Sequence, residues 1–185
     1  MADLNRLSFN GPSDNGKSVC LAYDSGAVDG RGFADALKFS TGLSDFHGRF
    51  GTVFSGSEDA VDVNNRCSGL TIAADRYVLG GRMGITIKGG SSDVTVEGWL
   101  EGHGSECDVD IGNWSDQSHE PVTGVKLRLR KWDGSKVKVR VINGDVPEFL
   151  SDSGPYCFVF PWPWLPGRRW IVRAFHQLRR IGLFR

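Results

Sequence analysis

Cysteine is scarce in this sequence, and the spacing of the four cysteines excludes several kinds of site. Cys20, Cys67, Cys107 and Cys157 lie far apart, and no two of them form a CxxC pair. A structural zinc site usually takes its ligands in such closely spaced pairs. The sequence therefore predicts buried free thiols and no metal site.

Long apolar runs are also missing. The N-terminus, MADLNRLSFNG, lacks the continuous apolar stretch of a signal peptide, and no window reaches the roughly 18 apolar residues that a membrane span requires. We therefore expect synthesis in a reducing cytosol and, unless the protein joins a larger particle, a cytoplasmic location.

Acidic residues are absent from the C-terminal part of the chain. Residues 153–185 contain six arginines and no Asp or Glu, although the whole chain has 22 basic and 22 acidic side chains. The acidic excess thus lies before this tail, and the tail is basic. Glycine is abundant, with 25 among 185 residues, and this favours a fold with many tight turns.

One period runs through the middle of the chain. Val61–Val63 is followed 24 residues later by Ile85–Ile87, and after 24 more by Val109–Ile111. Each triplet reads apolar, polar, apolar, which is typical of a strand with one buried face. In this pattern the central Asp62 and Asp110 are predicted to face solvent in one column.

A second set of triplets keeps the same step. Leu70–Ile72 is followed after 24 residues by Val94–Val96, and then, beyond an apparent insertion of seven residues, by Val125–Leu127. Asn and Gly recur between the two sets, at Asn64–Asn65 and Gly112–Asn113, and both tolerate the left-handed backbone of a sharp corner. Units this short bury an apolar face only by stacking on their neighbours.

The sequence thus predicts an all-β protein, a short right-handed parallel β-helix of about three to four coils. We expect an N-terminal capping region over 1–55 with a short helix near Phe33–Leu37, the β-helix over 56–150, and a docking segment over 151–185. Val125–Arg130 and Val137–Val141 are separated by Trp132–Ser135, a turn signal of the Asp-Gly kind, and form either a terminal coil or a capping hairpin. An antiparallel sandwich is the alternative for the whole region, but it gives no reason for a shared 24-residue step.

The strings EDAVDVNNRCSGLTI and GITIKGGSSDVTV resemble the pectate-lyase-like β-helix superfamily over roughly Asp59 to Gly112, and more weakly to Ile142. Members of that superfamily include polysaccharide lyases and hydrolases, and also phage spikes and virion proteins that bind or cut surface glycans. The resemblance implies a non-enzymatic structural or attachment protein of a phage-like virion, with a virion location if a phage encodes it. Its partners would be other virion or assembly proteins, a further copy of the chain, or a glycan.

A polysaccharide lyase or glycoside hydrolase is the alternative. Gly102–Gly104 resembles the GHG motif of the polygalacturonases, although the order of the flanking motifs departs from that family. Glycoside hydrolysis needs two carboxylates on one face. The candidate catalytic residues are Asp59, Asp62, His103, Asp108 and Asp110.

Two tryptophans lie among the acidic residues of 97–117. Tryptophans beside polar side chains are typical of sugar-binding and protein interfaces. Trp99 and Trp114 are therefore the candidate ligand-binding residues, with packing under the insertion as the alternative. Residues 11–18, GPSDNGKS, match a phosphate loop, but no helix follows, so we expect no nucleotide and no other cofactor.

The tail combines a Pro/Trp segment with a basic amphipathic pattern. The string CFVFPWPWLPG excludes a regular helix, whereas apolar residues from Ile171 to Ile181 recur at helical spacing. Capping of the solenoid is one explanation, and docking to a protein is favoured over binding to a membrane surface or nucleic acid. The candidate docking residues are Trp162, Trp164, Arg168, Arg169, Trp170, Arg173, Phe175 and Arg180.

Overall fold

A computed structural model of the chain describes residues 7–9, 22–23, 35–40, 42–55, 58–113 and 119–159. Strands are the only regular secondary structure in these ranges. In chain order they are β1 (Leu7–Phe9), β2 (Ala22–Tyr23), β3 (Leu37–Phe39), β4 (His47–Ser55), β5 (Val61–Val63), β6 (Ser68–Leu79), β7 (Met83–Ile87), β8 (Ser92–Gly102), β9 (Cys107–Ile111), β10 (Lys126–Lys131), β11 (Val137–Val141), β12 (Glu148–Phe149) and β13 (Tyr156–Phe158).

The strands alternate between two sheets. The odd-numbered strands form sheet A, in the order β1-β3-β5-β7-β9-β11-β13, and the even-numbered strands form sheet B, in the order β12-β10-β8-β6-β4-β2. Every neighbouring pair is parallel except β1 with β3. The chain therefore coils as a parallel β-solenoid of about four turns, as the repeat predicted.

The register follows the 24-residue step. Ile85 pairs with Val61 on one side and with Val109 on the other, and all three side chains are fully buried. In sheet B, Leu70 pairs with Val94 in the same way. Apolar side chains of the two sheets meet in one continuous core, because each rung places its apolar positions directly over those of the preceding rung.

The stack begins earlier than residue 56. Leu37–Phe39 pairs in parallel with Val61–Val63, again 24 residues away, and both Leu37 and Phe39 are buried. The prediction of a short helix reaching Leu37 is wrong, because the alternation of Leu37, Lys38 and Phe39 fits a pleated strand that buries one face. Residues 33 and 34 lie outside the described ranges.

The stack also continues past residue 150. β11 pairs in parallel with β9 and with β13, so Val137–Val141 belongs to a coil and not to a hairpin. The corners between the sheets use left-handed backbone, as expected from their composition. Asn65, Gly89 and Gly112 have φ values of 59°, 66° and 73°.

Candidate functional site

A column of polar side chains crosses the middle of sheet A, one from each of five successive strands. Asp62 and Asp110 belong to this column, and both are fully buried, so the prediction that they face solvent is wrong. The members, in register, are Lys38, Asp62, Thr86, Asp110 and Arg140.

Cations on neighbouring rungs explain this burial. The Asp62 carboxylate lies 3.1 Å from the ammonium groups of both Lys38 and Lys88. Asp110 accepts two hydrogen bonds from the Arg140 guanidinium, at 2.8 and 3.1 Å. A buried charge is tolerated when an opposite charge pairs with it. The register places Lys38 beside Asp62 and Arg140 beside Asp110, and Lys88 reaches Asp62 from the residue after β7.

Asp59 lies beside this column in a different electrostatic setting. Its side chain is buried, and within the described ranges its Oδ1 atom has no hydrogen-bond partner. Burial, followed by the negative charges of Asp62 and Asp35, raises the pKa of Asp59 to about 8. Burial and Asp62 likewise raise the pKa of Asp35 to about 6. Asp59 is therefore predominantly protonated, and so uncharged, at neutral pH.

A second buried ion pair joins the two sheets near one corner. Lys131 Nζ on β10 lies 2.8 Å from Asp108 Oδ1 on β9, and it also donates to the carbonyl of Gly102. His103 Nδ1 lies 3.0 Å from the same ammonium. Because a lysine ammonium only donates, Nδ1 accepts this bond and the ring proton resides on Nε2. Asp133 lies 3.9 Å from that Nε2 atom.

The five candidate catalytic residues therefore fall into separate groups. Asp62 is paired with Lys38 and Lys88, and Asp59 lies near it without an ion pair of its own among the described residues. Asp110 is held by Arg140, and Asp108 is held by Lys131. All four carboxyl groups are buried, and His103, with 43% of its side chain exposed, is the accessible member. This arrangement is a ladder of ion pairs along the solenoid, with no two of these carboxylates presented together to solvent.

Among the described residues, an accessible groove lies on the opposite sheet. This groove of about 550 Å³ runs across the outer face of sheet B. Small residues, Ala73, Ala74 and Gly98, line it together with larger polar and aromatic side chains. Those larger residues are Arg49, Asp75, Glu97, Trp99, Arg128, Arg130 and Asp152.

An irregularity in strand pairing accompanies the groove. Ala74 pairs with Gly98 and Tyr77 with Leu100, so β6 has one more residue than β8 between these two pairs. Such a bulge bends the strand and redirects the side chains beside it. Gly98 has a φ of 146°, and a Cβ atom there would lie 2.2 Å from the Ala74 carbonyl oxygen. Glycine is thus required where the two strands diverge.

An exposed aromatic pair lies at the groove. The rings of Trp99 and Trp132 meet edge to face, with centroids 5.7 Å apart, and the Arg130 guanidinium lies 5.6 Å from the Trp99 ring centroid. Trp99 is 39% exposed and Trp132 is 63% exposed. Sequence reasoning identified Trp99 but treated Trp132 only as part of an Asp-Gly turn. The register places Trp132 beside the strand of Trp99, because Lys131 pairs with Leu100.

Each arginine of the groove has a carboxylate partner. Arg49 contacts Asp75, Arg128 lies 3.2 Å from Glu97, and Arg130 lies 3.8 Å from Asp152. These groups are at least partly exposed, so the pairs contribute little to stability, roughly 0–1 kcal/mol each. These pairs matter instead because they form the charged surface of the groove.

Of the other features predicted from the sequence, some lie within the described residues and some lie outside them. Cys67 and Cys107 are free and buried, as expected, and burial raises the pKa of both thiols, whereas Cys157 is free and half-buried. In the ranges that the structure describes, no cluster of His, Cys, Asp and Glu is suited to a metal ion, and no helix is long and apolar enough to cross a membrane. Trp114, the phosphate-loop match at 11–18 and the docking residues from Trp162 to Arg180 lie outside the described residues.

The assignment of the fold comes from the strand register and not from similarity to a known protein. Comparison of the chain with known family models, with curated proteins and with solved structures found no match. The parallel β-solenoid agrees with the β-helix predicted from the repeat, whereas the resemblance to the pectate-lyase-like superfamily has no support from a related sequence or structure.

Proposed function

We propose that this protein is a non-enzymatic attachment scaffold that binds a glycan in the groove on sheet B. The observation that carries the proposal is the exposed Trp99–Trp132 pair beside a groove lined by paired charges. Exposed aromatic rings cost free energy in water and are common at binding sites. The apolar faces of sugar rings cover such side chains while their hydroxyl groups bond to the polar walls.

The solenoid supports this role because it fixes the site on rigid strands. Trp99 belongs to β8 and Arg128 to β10, two adjacent strands in continuous register. Side chains on packed strands lose less freedom on binding than side chains on loops. The ligand would therefore meet a surface that is already formed.

The buried carboxylates favour binding over catalysis. Glycoside hydrolysis needs an acid and a second carboxylate about 5–9.5 Å apart on either side of the substrate. Here Asp62, Asp108 and Asp110 are each engaged by a lysine or arginine away from solvent. In the attachment role, residues 160–185, which follow β13, would dock the solenoid to a larger assembly such as a virion.

Binding to an array of glycans, followed by titration of the best ligand, tests the proposal. We expect Trp132→Ala and Trp99→Ala each to weaken binding at least about tenfold, equal to about 1.4 kcal/mol. Lys126→Ala is the matched control, because Lys126 lies on the same sheet but outside the groove. Failure of every glycan to bind, or unchanged binding by Trp132→Ala, would overturn the proposal.

A further inference from the structure

Each positively charged side chain that lines the groove is paired with a negatively charged one. Three guanidinium groups, of Arg49, Arg128 and Arg130, line the groove together with three carboxylates, of Asp75, Glu97 and Asp152. Each guanidinium already contacts one of these carboxylates. The groove therefore presents both signs in alternation, without a cation in excess among its lining residues.

We infer that the ligand of this groove is a neutral, polyhydroxylated glycan and not an acidic polysaccharide. The inference rests on the proposed function and specifies the chemical class of its ligand. It follows from what each class would do to the ion pairs that line the groove.

An anionic sugar would compete with the protein's own carboxylates. To bond to Arg128, a uronate carboxylate would have to displace Glu97 or lie beside it, and like charges at close range repel. The same conflict arises at Arg49 with Asp75. Sites that select anionic ligands instead leave arginine or lysine groups in excess.

A sugar hydroxyl group meets no such conflict. It accepts a hydrogen bond from a guanidinium N–H and donates one to a carboxylate, so it bonds to both members of a pair and leaves the pair intact. Hydrogen bonds to charged partners are stronger than those between neutral groups. Ala73, Ala74 and Gly98, with the Trp99 ring beside them, provide apolar surface for the C–H faces of the sugar.

Matched neutral and uronate-containing oligosaccharides distinguish the two classes. We expect wild-type protein to bind the neutral chain at least about tenfold more tightly, with an affinity that changes less than about threefold between roughly 50 mM and 500 mM salt. The double variant Asp75→Asn with Glu97→Gln leaves two guanidiniums unpaired and should gain affinity for the uronate chain. Glu148→Gln removes a carboxylate of the same sheet outside the groove and should change neither affinity.

The possible results distinguish the proposed attachment function from the inference that its ligand is neutral. If wild-type protein prefers the uronate chain and loses that affinity in high salt, the inference is overturned while the attachment function stands. If neither chain nor any other glycan binds, both are overturned. Far-ultraviolet circular dichroism of each variant checks that the strands are retained.

Discussion

The Asp108 carboxylate and the Lys131 ammonium lie 2.8 Å apart inside the solenoid, where neither side chain is more than 1% exposed. Asp108 belongs to sheet A and Lys131 to sheet B, so the pair joins the two sheets across a corner. Asp108 also accepts a backbone hydrogen bond from Lys138 at 2.8 Å. Both charges thus have several partners, which offsets part of the cost of removing them from water.

Lys131→Met should destabilise the fold by about 3–5 kcal/mol, because it leaves the buried charge of Asp108 without its counter-ion. Denaturant unfolding followed by circular dichroism measures the change. Adding Asp108→Asn to this variant removes the uncompensated charge and should recover part of the loss. Arg128→Met breaks an exposed pair instead and should cost at most about 1 kcal/mol. A loss below that value for Lys131→Met would contradict the prediction.

Stability should depend on pH through Asp59. Burial raises the pKa of Asp59 from 3.8 to about 8, so between these values the folded protein holds a proton that the unfolded chain releases. The stabilisation from this group is complete below about pH 4 and is lost as the pH rises toward 8, by at most about 1.4 kcal/mol per pH unit. Asp35, with a pKa raised to about 6, contributes in the same direction over a narrower range.

Asp59→Asn should remove the contribution of Asp59 to this pH dependence, because asparagine is neutral at every pH. The variant should be more stable than wild-type protein at pH 8–9, and the advantage should shrink toward pH 4. Unfolding free energies measured across this range test the prediction. Parallel stability curves for the two proteins would show that Asp59 does not hold a proton in the folded state.

The repeat made the fold predictable because a solenoid reuses one pattern of contacts. The pairing of Ile85 with Val61 and Val109 follows directly from the 24-residue step. The same step connects Leu37 with Val61, but a single short triplet in a Gly-rich region was too weak a signal to separate from a cap. The helix expected near Phe33–Leu37 therefore fails at Leu37, where tertiary packing imposes a strand.

The candidate site was harder to predict because it depends on what lies vertically above each residue. Asp62 alternates with valines, which is the pattern of an exposed position. In the structure it is fully buried, and the ammonium groups of Lys38 and Lys88 pair with it. The groove lies at an extra residue in β6, and the 24-residue step resumes where Met83 pairs with Cys107, so the repeat does not reveal it. Trp132 joins Trp99 only through the register of β10 on β8, which a turn motif does not reveal.

Truncation of a core side chain in the middle of the stack should be costly. Ile85 is fully buried between Val61 and Val109, so Ile85→Ala should lose about 2–5 kcal/mol and Ile85→Val about 0.5–1.5 kcal/mol. Thr95→Ala, on the half-buried outer side of sheet B, serves as the control and should change stability by less than about 0.5 kcal/mol. Equal losses for the two Ile85 variants would argue against close packing at this rung.

Two glycines with positive φ angles, Gly98 and Gly134, should respond differently to substitution by alanine. At Gly98 the φ is 146° and a Cβ atom would lie 2.2 Å from a backbone oxygen, whereas at Gly134 the φ is 74° and nothing lies within 4 Å. Gly134→Ala should therefore cost only the backbone strain of about 1–2 kcal/mol. Gly98→Ala adds a clash with Ala74 that only movement of the strands relieves, so it should cost more and also weaken ligand binding by altering the groove. Unfolding free energies and glycan affinity of the two variants provide the comparison, and equal effects on both measurements would show that the bulge does not shape the groove.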